Sequence, residues 1–267
     1  MPEHQTQNNA SAISEAAKRG VGSDIPDAGW GWGRTPLSIA AERGRVGVMK
    51  LLLAHGADTA SLDHEGRTSL DWAVWRGSDK AAYLLLRRGS QWRDGYRPLL
   101  GNAAIGGLSR VTQFLLDNQV DPDFADEYGR TPLMIAAKND HFRIVAMLLQ
   151  TERVDINARI RSGWTPLSKA AAHADDEGIL SILLDAGADV DTKDDRGRTP
   201  LFHAVYNRLY IYKFLLLRGA DPFMKDAEGR TPESEMVVRE NNEPEYEEES
   251  RYEGSGCSTS DNESLDY

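Results

Sequence analysis

The chain has 267 residues, 40% hydrophobic and 27% charged, which is enough to bury a core in one or two domains. No apolar run approaches the roughly 20 residues that span a bilayer, and the opening MPEHQTQNNAS has neither part of a secretory signal, so neither a membrane protein nor an exported one is expected. The net charge of −11 is concentrated at one end, with eight Glu and two Asp against one Arg in residues 240–267, and the near-neutral remainder (32 acids, 30 bases) lacks the basic stripe that nucleic acid requires.

In chain order, the first element is ISEAAKRG at residues 13–20, which reads as an amphipathic helix with Ser11 or Ser14 as its cap, inside an N-terminal segment of residues 1–32. GWGWGR at 29–34 superficially resembles a glycine-rich phosphate loop. It lacks the preceding strand and the spacing such a loop needs, and reads better as a turn that enters the next element.

That turn begins a phrase the chain repeats. GRTPL stands at 33–37, 129–133 and 197–201, with variants GRTSL at 66–70, GYRPL at 95–99, GWTPL at 163–167 and GRTPE at 229–233. Measured at Thr35, Thr68, Arg97, Thr131, Thr165, Thr199 and Thr231, the spacings are 33, 29, 34, 34, 34 and 32, a period that marks a repeat architecture. Gly permits the positive φ of a tight turn, Thr can cap a helix, and Pro suits the first helical position. Small residues follow, as in SIAAERG and MIAAKND, and allow neighbouring helices to approach closely. Gly44, Gly77 and Gly106 are candidate stops for this first helix. A second, leucine-rich helix comes next (VMKLLLAHGAD, AAYLLLRRGSQ, LSILLDAGADV, IYKFLLLRGAD) and is ended by Gly56, Gly89, Gly187 or Gly219. A lone pair of such helices would leave one apolar face wet, so the units must stack.

The TPLxxAA…LLLxxGAD pattern at this period resembles the ankyrin repeat family over residues 33–240. The resemblance implies an all-α solenoid of stacked helix-turn-helix units with loop or β-turn fingers, about six repeats and a closing helix at 231–240. Repeat three departs from the pattern, with Arg97 for Thr and a shortened loop. Repeats four to six put Asp140, Ala174 and Arg208 where the inter-helix Gly belongs. The family's His after TPL is replaced by Ser38, Asp71, Leu100, Met134, Ser168 and Phe202, which removes a hydrogen bond that stiffens the turn and implies modest stability.

The family usually has no catalytic residues and binds protein partners with its loop tips and the concave face of its first helices. The chain is accordingly expected to be a non-catalytic, monomeric protein-interaction module with no cofactor. The alternative is a regulatory accessory or co-regulator whose acidic tail is the effector or switch. His4, His55, His64, His141, His173 and His203 show no metal-ligand spacing, and no nucleophile motif is present.

Candidate partner-binding residues come from two patterns. Aromatic residues Trp30, Trp32, Trp72, Trp75, Trp92, Tyr96, Tyr128, Trp164 and Tyr206 fall around the turns and first helices. Of these, Trp32, Trp75, Trp92 and Tyr128 are expected to be exposed as anchors, with Tyr96 and Trp164 beside them, while Trp72 could equally be core. Arg34, Arg67, Arg130, Arg198 and Arg230 follow the turn glycine and form a ladder. This ladder could meet an acidic partner, or pair weakly at the surface with Asp63, Asp126, Asp194 and Asp226.

Residues 241–267 are acidic, poor in aliphatics and rich in Ser and Gly, and are expected to be disordered. They could fold back onto basic loop residues. Ser258 and Ser260 precede acids and are candidate phosphorylation sites. Cys257 is the only cysteine, so it has no internal disulfide partner, which suits an intracellular compartment, cytoplasmic or nuclear.

Overall fold

The computed structural model describes residues 33–92 and 99–242, with side chains through Arg239. The expected capping helix at 13–20, the Arg97 turn and the acidic tail beyond Asn242 lie outside these residues; residues 241 and 242, expected in the tail, continue the closing helix.

The described residues are helical, without strands, and the helices form two rows. The first row holds the first helix of each repeat: α1 (Pro36–Glu42), α3 (Ser69–Trp75), α5 (Leu99–Gly106), α7 (Pro132–Lys138), α9 (Pro166–His173), α11 (Pro200–Ala204) and the closing α13 (Pro232–Asn242). The second row holds α2 (Val46–Ala54), α4 (Asp79–Arg87), α6 (Ser109–Asp117), α8 (Phe142–Leu149), α10 (Gly178–Asp185) and α12 (Leu209–Leu217). Every first helix packs on the next first helix and on its own second helix, α13 excepted, which has no second helix after it.

The core runs continuously between the rows. Leu37, Leu70, Leu133, Leu167 and Leu201 from the first helices meet Leu52, Leu85, Leu148, Leu183 and Leu215 from the second, all buried. Each such leucine contributes about 1.5–3 kcal/mol by leaving water. Ala40, Ala41, Ala136, Ala137, Ala170 and Ala171 are fully buried where first helices touch, as their small size requires.

The recurring threonine works as a cap. Thr35, Thr131, Thr165 and Thr199 have extended backbone and accept the amide of the residue three further on, ahead of a Pro at the first helical position. Thr68 goes further and shares a reciprocal capping box with Asp71. At two of the positions lacking the family histidine, another bond ties down the turn: Ser38 Oγ donates to the Thr35 carbonyl, and the hydroxyls of Ser168 and Thr165 bond each other. In the second helices of the six paired repeats the N-cap residue makes no side-chain cap bond, but Asp79 of the preceding repeat accepts the Arg110 and Val111 amides at the start of α6 and Asp176 accepts the Gly178 amide at the start of α10.

The reversals between helices depart from the glycine pattern in two ways. In repeat three the left-handed residue is Gly107 (φ 67) rather than Gly106, because α5 extends through Gly106. Elsewhere non-glycine residues take that conformation: Asp140 (φ 58), Gln119 (φ 60) and Glu152 (φ 53). Ala174 is instead extended, and the next repeat satisfies the exposed carbonyls there, with Asn207 Nδ2 donating to Ala171 O and Ala174 O at 3.1 Å each.

The fingers are built on an aspartate. Asp63 Oδ1 accepts the amides of Glu65 and Arg67 at 2.9 Å each, while Oδ2 accepts Arg67 Nε at 2.9 Å and Trp72 Nε1 at 3.0 Å. Asp126 and Asp226 repeat the arrangement with Arg130 and Arg230, and Asp194 accepts the amides of Arg196 and Arg198. These carboxylates are buried and their arginines only partly exposed, so the expectation of weak surface pairs is corrected. Burial works hardest against ionisation at Asp63, Asp126 and Asp226. The hydrogen bonds from the finger amides and from the arginine side chains together outweigh it and hold all three below the ordinary carboxylate value.

Where repeat two has Trp72, repeat six has His203, and its Nε2 bonds Asp194 Oδ2 at 3.1 Å. Burial is the largest influence on His203. It outweighs the attraction of Asp194, and repulsion from Arg198 and Lys169 adds to it, so the imidazole is pushed down to about 4.

Two stability predictions follow from this framework. Gln119→Gly and Glu152→Gly should each stabilise the fold by about 1 kcal/mol, since a side chain in the left-handed region is strained and glycine is not; urea midpoints will read the shift. The second concerns pH. Unfolded His203 takes up its proton near pH 6.5 and folded His203 only near 4, so the unfolded chain binds more protons in that window and stability falls as pH drops through it. The finger aspartates, with depressed folded values, add their loss only at lower pH. His203→Gln should therefore flatten the melting temperature between pH 6.5 and 4 and leave the steeper acid limb in place; an unchanged slope would show that His203 does not titrate as described.

Candidate functional site

The surface formed by the first helices and the finger turns carries most of the residues singled out in the sequence. Trp72 is core, its indole nitrogen committed to Asp63 and its ring held between the guanidinium groups of Arg34 and Arg67 at 3.9 and 4.2 Å. Arg34 also bonds Glu42. Trp75 lies one helical turn beyond Trp72, tilted against it at a centroid distance of 5.2 Å, and is 68% exposed. Trp72 thus acts as a rigid backing for an exposed Trp75.

The middle of the row is aromatic and cationic. Tyr128, at a finger tip, is 56% exposed, with the Arg130 guanidinium 5.0 Å from its ring centre. Trp164 is half-buried, stacked on His203 at 3.9 Å with Lys169 Nζ 4.0 Å above its ring. Lys138 and His173 complete this group from the ends of α7 and α9. Burial, then Lys138 and Arg130, lowers the Lys169 pKa, and burial, then Lys138 and Lys169, lowers that of His173. Four cationic or protonatable groups therefore converge on one stretch of surface.

The C-terminal part repeats the arginine clamp in another form. The buried Phe202 ring lies between Arg198 and Arg230, at 5.5 and 5.7 Å. Arg198 reaches across to Asp226 of the next finger, at 4.0 Å, rather than closing onto its own aspartate's side chain. Tyr206 is 62% exposed, and its hydroxyl donates to Glu235 on the closing helix.

The structure therefore gathers Trp75, Tyr128, Trp164, Arg34, Arg67, Arg130 and Arg198 on one surface. Trp32 and Tyr96 lie outside the described residues, as do Ser258 and Ser260. Trp92 corrects the expectation of an exposed anchor: it is half-buried and packs against the core beyond the end of α4, because its large apolar ring finds the buried cluster within reach there. Sequence reasoning passed over the cluster of Lys138, Lys169 and His173. Its signal was present, since Lys169 and His173 are four apart on one helix and Lys138 occupies the last turn of the neighbouring first helix. Among the described residues no group of three or more His, Cys, Asp or Glu could hold a metal ion, and no helix is long and apolar enough to cross a membrane.

Comparison with known proteins matches two family models. "Ankyrin repeats (3 copies)" matches residues 5–93 and 152–226, and "Ankyrin repeats (many copies)" matches residues 115–170. Among curated relatives, the putative ankyrin repeat protein YahD of Escherichia coli K12 is 26% identical over 170 residues, covering 61% of this chain and 85% of YahD. Mouse Rabankyrin-5 is 29% identical over 157 residues, 53% of this chain but 13% of that protein. Human SH3 and multiple ankyrin repeat domains protein 2 is 39% identical over 97 residues, 36% of this chain and 5% of the larger protein. The chain thus spans most of the small bacterial relative and a minor part of the large animal ones. Repeated turn, capped helix pair, buried leucine rows and matching models agree throughout, and the chain belongs to the ankyrin repeat family.

Proposed function

We propose that the chain is a non-catalytic module that binds a protein partner across its first helices and finger tips. Ankyrin repeat proteins are in general protein-interaction modules and in general non-catalytic. The observation that carries the reading here is the row of exposed aromatics on one face, Trp75, Tyr128 and Tyr206, with Trp164 half-buried among them. Large aromatics held by rigid neighbours lose little entropy on binding, and such residues dominate interface energies. Arg34, Arg67, Arg130 and Arg198 border this row. Their guanidinium groups lie over rings or beside carboxylates, so they contribute shape and partial charge rather than free cations.

His203, whose pKa burial lowers, and its hydrogen-bond partner Asp194 have a structural role. Both are buried, with His203 stacked on Trp164, and their hydrogen bond ties the sixth finger to its helix. A monomeric protein in the cytoplasm or nucleus is consistent with the composition and the single cysteine. The alternative of a co-regulator driven by its acidic tail rests on residues 241–267, of which the first two end α13 and the rest lie outside the described structure.

The reading is tested by capture from lysate with the full chain, a Trp75→Ala, Tyr128→Ala variant, and a Leu217→Ala control on the second-helix row, all checked for unchanged helical circular dichroism. Leu217 is 86% exposed, so its truncation should be structurally neutral. Loss of two aromatic anchors should weaken the main partner by at least about 100-fold, since each anchor is worth on the order of 2 kcal/mol. Equal capture by all three proteins would remove the first-helix face as the binding surface.

A further inference from the structure

The central repeats differ in charge from the rest of the chain. Residues 129–173 carry seven Lys or Arg against three Asp or Glu, whereas residues 33–128 balance twelve against twelve and residues 174–239 carry nine against thirteen. Within that basic stretch the arginines are partly spoken for: Arg130 is bound to Asp126, Arg153 to the Val120 carbonyl and Arg159 to the Lys193 carbonyl. Lys138, Lys169 and His173 differ, since none forms an ion pair with a carboxylate among the described residues. Lys169 is half-buried on the Trp164 ring, close enough to Lys138 and Arg130 for their charges to bear on it. Bringing like charges together in a partly desolvated place is unfavourable unless an anion completes it.

The shape of the patch selects among anions. It lies on an open row of helices and is not a closed pocket, so it suits an extended chain with several carboxylates better than a single small ion. On the side of the inter-helix turns it is bounded by Asp140, Asp175 and Asp176, where burial, then Asp176 and Asp175, raises the pKa of Asp140. The end of α13 lies on this same side, where Arg208 neutralises Asp175, so an acidic segment leaving α13 is steered past Asp140 and Asp176 and along Lys169 toward Trp164 and Tyr128.

We propose that the patch of Arg130, Lys138, Lys169 and His173 is a receptor for an extended acidic peptide, and that its occupant is this chain's own segment 243–253. The inference rests on the reading that the first-helix face is the binding face. It adds that this face is covered in cis and that a partner must displace the segment or reproduce its charge pattern.

Segment 243–253, EPEYEEESRYE, has six Glu against one Arg. It begins directly after α13, in the same row as α9 and α7, two and three repeats away. Repeats pack about 10 Å apart, so the distance to cover is about 20–30 Å. An extended chain advances about 3.3–3.6 Å per residue, which brings Glu247, Glu248 and Glu249 to about 17–25 Å from the end of α13 and Glu253 beyond it. A tether of this length also gives an effective concentration in the millimolar range, so weak individual pairs suffice.

Zero-length carbodiimide cross-linking of the full chain, followed by peptide mapping, tests this. The expected result is amide links from Lys138 or Lys169 to the glutamates of 243–253 within single chains. Their yield should be unchanged on dilution through the micromolar range, and reduced at least about tenfold by high salt or by changing those glutamates to Gln. Lys138→Glu should depress the Lys169 links, and Lys169→Arg should move them to Lys138. Absence of such links, or a yield that falls with dilution as it would for the segment of a second copy, overturns the proposal. Links that are lost while capture still depends on Trp75 and Tyr128 would overturn the cis occupant and leave the binding face standing. Links that persist while capture ignores those aromatics would support the cis occupant and remove the functional reading.

Discussion

Among the described residues no helix exceeds the eleven residues of α13, and most have seven to nine. An isolated helix of fewer than about 12–15 residues is marginal in water. Every helix here therefore depends on a neighbour, and what the sequence repeats is the means of making neighbours. The threonine cap fixes where a first helix begins, the buried leucine faces its partner across the two rows, and the alanine pair lets the next repeat come close. Since each unit touches only the units beside it, stability is a sum of local interfaces. A weak repeat is tolerated when its neighbours compensate, as Asn207 of repeat six does for the carbonyls that Ala174 leaves in repeat five.

A second requirement is that the fingers hold their shape without strands. A buried aspartate meets it by gathering the amides of its own turn and the arginine at the turn's end. Between neighbouring repeats a parallel device operates in the linking loops. Asp123, Asn157 and Asp191 accept the amides of Asp155, Asp189 and Asp221 in the following repeat, at 3.0–3.1 Å. The side chains that carry repeat-to-repeat polar contacts are thus short and acceptor-rich, which suits them to orphan backbone donors.

The repeat period, the helix pairs, the capping threonines and the all-helical stack were legible because each rests on local chemistry written several times over. The left-handed Asp140, Gln119 and Glu152 were not, since a strained residue is accepted only when tertiary packing insists, and no single-residue preference announces it. Trp72 was hard to place for a related reason. An indole can be buried when something satisfies its nitrogen, and whether Asp63 could do so depends on the finger geometry. The aspartates themselves were visible, but their burial was not. Spacing showed that an acid and an arginine sit four apart, and only the turn shows that the carboxylate points inward.

The arginine ladder shows how the same residue type can look functional and be structural. Arg34 and Arg67 hold Trp72, Arg198 and Arg230 hold Phe202, and in each case two neighbouring repeats are joined through one ring. A guanidinium used this way has its flat faces on an aromatic and its edge near a carboxylate, which leaves little of it for a partner. Lys138 is exposed and Lys169 is half-buried on the Trp164 ring, and neither forms an ion pair with a carboxylate among the described residues. Along a row where most charge is neutralised within the fold, the few cations that are not neutralised decide which ligand the surface prefers. Trp75 and Tyr206 supply aromatic area toward the ends of the row, and the central repeats combine Tyr128 and Trp164 with the positive charge.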